Sequence, residues 1–228
     1  MEKVSKEKMS EIDRRAIEEC GLSPSVLMEL AGFQVADFIR SEFSENIKIA
    51  LICGPGHNGG DGLVTARRLS SWGFNVEAHV VGEELAEVTE QKRMIGENSG
   101  LSINNGDFPT ANVYVDALVG YNLDSAPREP VKSAVEKIND WGAEAVSIDV
   151  PTGVDADTGE RYSPHVSADF TVCLGMPKKK LYPRNSGKIY LADIGIPRKA
   201  VENSGADPGE YFKEGSLIEY MDSDRGMQ

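Results

Sequence analysis

Short apolar runs alternate along the chain with stretches whose apolar residues recur every three or four positions, and this alternation sets the expected architecture. Ile47-Lys-Ile-Ala-Leu-Ile-Cys53 is an apolar run that ends in glycines, as a strand feeding a tight loop would read. Leu63, Ala66, Leu69 and Trp72 follow at helical spacing. The same pattern places further strands near 76–81, 113–116, 145–149, 170–174 and 188–193, with helices near 84–97 and 131–139. Two helices precede the first strand. Ser10 and Asp13 are read as capping a short one that ends at Gly21, and Ser23-Pro24 supplies an N-cap and first-turn proline for the next. On that second helix Leu27, Leu30, Ala31, Val35, Phe38 and Ile39 form one apolar stripe, read as a core-facing side.

Strands that alternate with helices require crossover connections, so the expectation is a Rossmann-like three-layer α/β/α sandwich with a mostly parallel central sheet. At 228 residues, with no internal repeat or composition shift, the chain is expected to form a single domain over 1–228. The polar, glycine-bearing stretch 202–228 is expected to be a loosely packed tail with one short helix.

Charge narrows the partners. A formal net charge of −13, from 24 basic and 37 acidic side chains, opposes adhesion to nucleic acid or an anionic membrane. The run Lys178-Lys179-Lys180 lacks aromatic interleaving and reads as a solvated face, with phosphate contact as the alternative. The N-terminus has no apolar signal segment and nothing downstream reaches membrane-spanning length, so a cytoplasmic protein is expected. Cys20, Cys53 and Cys173 are odd in number and lack metal-ligand spacing, which suggests reduced thiols.

Three loops at the carboxyl ends of expected strands carry the chemistry, where open parallel sheets bind ligands. Gly54-Pro-Gly-His-Asn-Gly-Gly-Asp-Gly62 contains GxGxxG at Gly54, Gly56 and Gly59 and opens a helix, so its amides could face an anion. Asp61, expected in the first helical turn, would repel a bare phosphate and suits a ribose or a cation better. The second loop leaves Asp116, whose carboxylate is expected to point to the ligand edge, and the third leaves Asp149 through Pro151, Thr152 and Gly153. Asn58, Asp116 and Thr152 are together a set of hard oxygen donors suited to a hard cation. His57 lies in the glycine loop; His79 and His165 are isolated and read as surface or satisfied structural residues.

The strings CGPGHNGGDGLVTARRL, VDALVGYNL…REP, SIDVPTGVDADTG, CLGMPKKKLYP and LADIGIP, in this order, resemble the YjeF N-terminal domain family, the NAD(P)H-hydrate epimerases, over roughly 9–197. The resemblance implies a homodimeric Rossmann-like domain that interconverts the R and S forms of hydrated NADH or NADPH, which carry a hydroxyl at C6 of the nicotinamide ring. It implies that His57, Asn58, Gly59, Gly60 and Asp61, together with Gly120, Tyr121, Asn122, Leu123, Asp124, Ser125 and Ala126, bind substrate. It implies a potassium ion held by Asn58, Asp116 and Thr152, no organic cofactor, and Asp149 as a substrate-facing residue and the acid/base. The chain departs from the family's habit in three places: His57 stands for asparagine, Thr152 for serine, and Asn122-Leu-Asp-Ser for a segment richer in glycine and serine. Family chains are often fused to a dehydratase; here about 30 residues follow Pro197, so a dehydratase partner is expected to act in trans.

Two other readings remain open. The GxGxxG, with Glu77 or Glu83 downstream, suggests an NAD(P)-dependent oxidoreductase, although no hydride-transfer centre accompanies it. A catalytically inactive nucleotide- or RNA-binding scaffold of the same superfamily is the other, which the retained Asp116 and Asp149 disfavour.

Overall fold

In β1 (Lys48–Cys53), Ile49, Leu51 and Cys53 enter one apolar cluster while Ala50 and Ile52 enter another, so a single strand supplies both faces of a sheet. That period of two, with both sides apolar, is what burial between two helical layers demands. The computed structural model, which describes residues 2–140 and 142–220, builds the rest around this strand.

Two helices, α1 (Lys6–Glu18) and α2 (Pro24–Glu42), precede β1; α3 (His57–Ser71), β2 (Asn75–Val80), α4 (Glu87–Asn98), β3 (Ile103–Asn104) and β4 (Val113–Ala117) follow. Then come α5 (Val131–Asp140), β5 (Glu144–Ile148), β6 (Phe170–Leu174), α6 (Pro183–Ser186), β7 (Lys188–Ala192), α7 (Arg198–Asn203) and β8 (Leu217–Glu219). The eight strands lie in the order β3-β2-β1-β4-β5-β6-β7-β8. All pairings are parallel except β7 with β8. This is the Rossmann-like sandwich expected from the alternation. Ala31, Val35, Phe38 and Ile39 of α2 and Leu63, Ala66 and Leu69 of α3 cover one face. Ala134, Val135 and Ile138 of α5 cover the other. The strand order reverses between β1 and β4, so the loops after these two strands diverge and open a crevice between them.

Four details differ from the sequence expectation. The first helix starts one turn earlier than Ser10: Ser5 is its N-cap and accepts from Lys8 N at 3.2 Å, while Met9, Ile12 and Ala16 form the buried stripe that carries the helix through Ser10 and Asp13. On α2, Leu30 is 37% exposed and Met28 takes the inward place. From Glu202 onward the chain is held rather than loose as far as Tyr220: β8 pairs with β7 and Tyr220 is buried. Residues 221–228, the remainder of the expected tail, lie outside the described residues. Finally, Lys178 is 2% exposed, not on a solvated face, whereas Lys179 is exposed.

No helix among the described residues is long and apolar enough to cross a membrane. His79 is buried with Nδ1 2.6 Å from Asn104 Oδ1, and His165 Nδ1 lies 2.9 Å from the Tyr162 carbonyl, so both are structural. Cys53 and Cys173 are buried free thiols, and burial pushes both up in pKa.

Candidate active site

The loops after β1 and β4 approach so closely that a side chain at Gly54 would collide with the Leu118 carbonyl oxygen, 2.0 Å from where its Cβ would stand. Gly59 packs equally tightly on Gly54, and Gly60 faces Met28 and Thr89. The glycines of the motif therefore serve close packing, and of the five candidate residues in this loop His57, Asn58 and Asp61 are the ones that reach the cavity beside it. That cavity has a volume of about 350 Å³. Met9, Ile17, Leu27 and Met28 of α1 and α2 form an apolar wall, opposed by Gly120, Tyr121, Asn122 and Asp149 from the strand-end loops.

Asp149 sits one residue past β5 and has φ of +70°, the single positive φ of a non-glycine among the described residues. Val150 N donates to Ile148 O at 2.9 Å across it, which closes a γ-turn in its rare, strained form. Strain of this kind persists where surrounding contacts over-determine it and clusters at functional sites. Here the contacts are explicit. Asp149 N donates to Val172 O at 2.8 Å, Tyr121 N donates to Asp149 Oδ2 at 3.2 Å, and Leu174 N donates to Oδ1 at 3.3 Å. Lys178 Nζ lies 2.7 Å from Oδ1 and donates to the Leu174 carbonyl at 2.7 Å. A side chain at Gly120 would press on Asp149 Oδ2, at 3.1 Å, so the loop glycine keeps room for the carboxylate.

Lys178 reaches this position because the N-terminus pins its backbone: Val4 N donates to Pro177 O and Lys179 N to Val4 O, both at 2.9 Å. Burial works against its charge, but the Asp149 carboxylate beside it prevails and holds its pKa above the ordinary value.

Two further carboxyls line the cavity. Asp61 lies a turn deeper in α3 than expected, since the helix begins at His57, and no acidic residue stands in its first turn. Burial, with repulsion from Asp149 and Asp13, pushes its carboxyl well above the usual range, so its neutral form is favoured in place of the anion expected to meet a ribose or cation. Asp13 of α1 accepts a hydrogen bond from Tyr121 Oη at 2.9 Å. Burial raises it, the phenol and Lys178 lower it, and the balance stands at about 6. From sequence Asp13 was expected only as a helix cap, and Lys178 as part of a solvated run or a phosphate contact.

Asp116 does not open onto the cavity. Its carboxylate, fully buried, accepts from Thr152 Oγ1 (2.7 Å), Thr152 N (2.8 Å), Ser147 Oγ (2.9 Å) and Leu118 N (3.2 Å). It is thus turned inward between β4, β5 and the loop after β5, in contrast to the expected orientation. Burial raises its pKa against these hydrogen bonds, and no basic side chain pairs with it among the described residues. A buried carboxylate without a counter-charge, beside the Thr152 hydroxyl, is a setting that a hard cation fits. Asn58 is 9% exposed and its Nδ2 has no partner among the described residues, so its amide is not committed elsewhere there.

Of the remaining candidates in the second loop, Leu123, Asp124, Ser125 and Ala126 stand outside the cavity wall. Lys6 holds the first two: its Nζ donates to Leu123 O at 3.1 Å and Asp124 Oδ1 at 2.6 Å, and also to Asp155 Oδ2 at 2.8 Å. Helix α1 is thereby clamped to both later loops.

Residues 24–180 match the family model described as YjeF-related protein N-terminus. The chain belongs to this family. The YjeF-related segment contains all three loops and Lys178, while Asp13 precedes it. An NAD(P)H-hydrate epimerase of Dehalogenimonas lykanthroporepellens is 33% identical over 86% of this chain and 83% of its own length. One of Leuconostoc citreum is 34% identical, over 86% and 91%. A bifunctional NAD(P)H-hydrate repair enzyme of Thermofilum pendens is 38% identical over 85% of this chain but 40% of its own length, so the chain spans less than half of such relatives. The crystal structure of yeast ynu0, YNL200c, superposes with a TM-score of 0.84 at 28% identity, covering 96% of this chain and 100% of that one.

Proposed function

We propose that this YjeF-related chain is an NAD(P)H-hydrate epimerase, an isomerase that interconverts the R and S hydrates of NADH and NADPH as a metabolite-repair step. The observation that carries the reading is Asp149, forced by a strained turn into a cavity at the sheet's switch point. The two relatives named NAD(P)H-hydrate epimerase, matched over most of their length, support it.

A cavity of about 350 Å³ suits a nicotinamide ring and its ribose rather than a whole dinucleotide. The ring occupies the cavity against Met28 and Leu27, and the rest of the dinucleotide runs out past His57 and over the loop from Asn122 to Ala126. Gly59 and Gly60 act by letting the backbone approach. Inverting C6 requires its C–O bond to break as the ring-nitrogen lone pair forms a C6–N1 double bond, and then water to add to the other face. An acid must protonate the departing oxygen and a base must take a proton from the incoming water. Asp149 is the acid/base.

Asn58, Asp116 and Thr152 hold a potassium ion, which when bound neutralises the Asp116 charge and fixes the loops after β4 and β5. No organic cofactor is needed. The protein works as a homodimer in the cytoplasm, with a dehydratase acting in trans to consume the S hydrate; the relative named a bifunctional NAD(P)H-hydrate repair enzyme supports a second activity beside this one. Neither an oxidoreductase nor a scaffold reading requires Asp149 to face the cavity.

The test is to incubate the purified protein with pure R hydrate of NADH and of NADPH and follow the S form by chromatography. Acceleration over the spontaneous rate is the expected result; a folded protein that binds hydrate without accelerating its conversion is a binding protein instead.

A further inference from the structure

Inversion at C6 sets a demand that one carboxylate meets poorly. Hydroxide leaves from one face of the ring and water arrives on the other, so a single group could serve both events only if the ring turned over inside the cavity. Two groups on different walls remove that requirement, and the cavity has them. Asp149 stands at the end of β5, with Lys178 Nζ 2.7 Å away as its counter-charge. Asp13 stands on α1, and its carboxyl oxygen accepts a hydrogen bond from the Tyr121 phenol at 2.9 Å. Tyr121 links the pair: its backbone N–H donates to Asp149 and its hydroxyl to Asp13, so the two carboxyls are held at opposite ends of one residue.

We propose, resting on the epimerase reading, that Asp13 is the second proton-transfer group of this site, working from the helical wall against Asp149 on the strand-end wall. In one direction Asp13 gives its proton to the C6 oxygen, the C–O electron pair leaves with that oxygen as water, and the ring nitrogen's lone pair becomes the C6–N1 double bond. A second water attacks C6 from the other face, a new C–O bond forms as the double bond's pair returns to nitrogen, and Asp149 takes the proton released. One water leaves, one enters, and one proton has moved from Asp13 to Asp149. The reverse direction runs the same transfer backwards.

The surroundings divide the labour. Asp13 faces Tyr121, Lys178, Asp149 and Asp61; burial and the two carboxyls favour its proton, the phenol and the ammonium oppose it, and the balance stands at about 6, close to a working pH. Asp61, the third carboxyl, is 9% exposed and pushed by burial well above the usual carboxylate range, which suits a group that keeps its proton. Asp13 is half-buried, so solvent can return the proton it gives.

Steady-state epimerisation of R hydrate by the full chain, measured from about pH 5 to 9 together with hydrate affinity, tests the assignment. Asp13→Asn is expected to lower kcat about 100-fold or more, with KM changed by no more than about threefold. The wild type is expected to lose kcat/KM above about pH 6, and Asp13→Asn should abolish that alkaline fall. Asp13→Glu should restore part of the rate. Tyr121→Phe, which removes a hydrogen bond favouring the charged carboxylate, should move that fall to higher pH; this variant decides the matter if Asp13→Asn does not fold. An Asp13→Asn protein with wild-type rate, or a Tyr121→Phe profile that does not move, overturns the assignment and leaves the epimerase reading standing. A wild type that does not accelerate the reaction overturns both.

Discussion

Two aspartates close adjacent parallel strands, and the protein uses them in opposite ways. Asp116, the penultimate residue of β4, is enclosed: Thr152, Ser147 and Leu118 supply its hydrogen bonds, all from neutral groups, and it has no surface at the cavity. Asp149, just past β5, lines the cavity in a strained turn and has a buried lysine as its partner. A carboxylate saturated by neutral donors ties loops together, whereas one balanced by a single cation and left open on one side is equipped for chemistry. The difference lies in what arrives from elsewhere in the chain, since both residues end apolar strands with similar local sequence.

The sharpest way to break this contrast is to remove the lysine. Lys178→Met leaves Asp149 as an unpaired buried charge, and an uncompensated partner of a buried pair costs about 3–5 kcal/mol. Urea unfolding at neutral pH should show a loss of that size that shrinks when Asp149→Asn is added; independent, additive losses would mean the two do not act as a pair. Thr152→Val probes the other aspartate. It removes a donor to Asp116 Oδ1 and an acceptor for Val119 N, so stability should fall by about 1–3 kcal/mol. The loss should shrink when potassium is replaced by a large organic cation, because the wild type then gives up the stabilisation by bound metal that the variant has already lost.

The smallest effect is expected at the clamp beneath both loops. Asp155 accepts from Lys6, Asp157 N and Thr158 N, and although burial pushes its pKa up, these partners prevail and hold it at about 2. A carboxyl lowered in the folded state stabilises above its unfolded pKa and loses that contribution as pH falls through the folded one. Asp155→Asn should therefore be less stable than wild type at neutral pH by roughly 1 kcal/mol. The gap should close as pH is lowered from about 4 to about 2. A gap that is constant with pH would show that the carboxylate's charge is not what binds Lys6.

These contrasts also mark the limit of what the chain discloses unfolded. The strand and helix succession was legible because both faces of the sheet are apolar, and runs such as Ile49 to Cys53 carry that signal within a few residues. The glycine loop and the two strand-end aspartates were legible for the same local reason. The γ-turn at Asp149 was not, because it depends on one residue and on partners from Val172, Tyr121 and Lys178. Lys178 looked like the head of a solvated lysine run. Its signal lay before it, in the apolar Leu174-Gly-Met-Pro177 that follows a buried strand, and in the pairing of Val4 with this segment, which local pattern does not show. Asp13 was read as a helix cap because the true cap, Ser5, sits beside charged residues that hide where the stripe of Met9, Ile12 and Ala16 begins. β8 was missed because its stretch is short and lies at the sheet's antiparallel edge, where pairing rather than burial defines the strand.

Asp149 is the residue we propose first as an acid/base of this site. The most direct test is to compare wild type and Asp149→Asn for conversion of R hydrate to S hydrate, at a temperature where circular dichroism shows both folded and with hydrate binding measured alongside. Rapid conversion by the wild type and a fall of about 10³-fold in the variant with hydrate still bound are expected; equal conversion by the two proteins would overturn the role of Asp149.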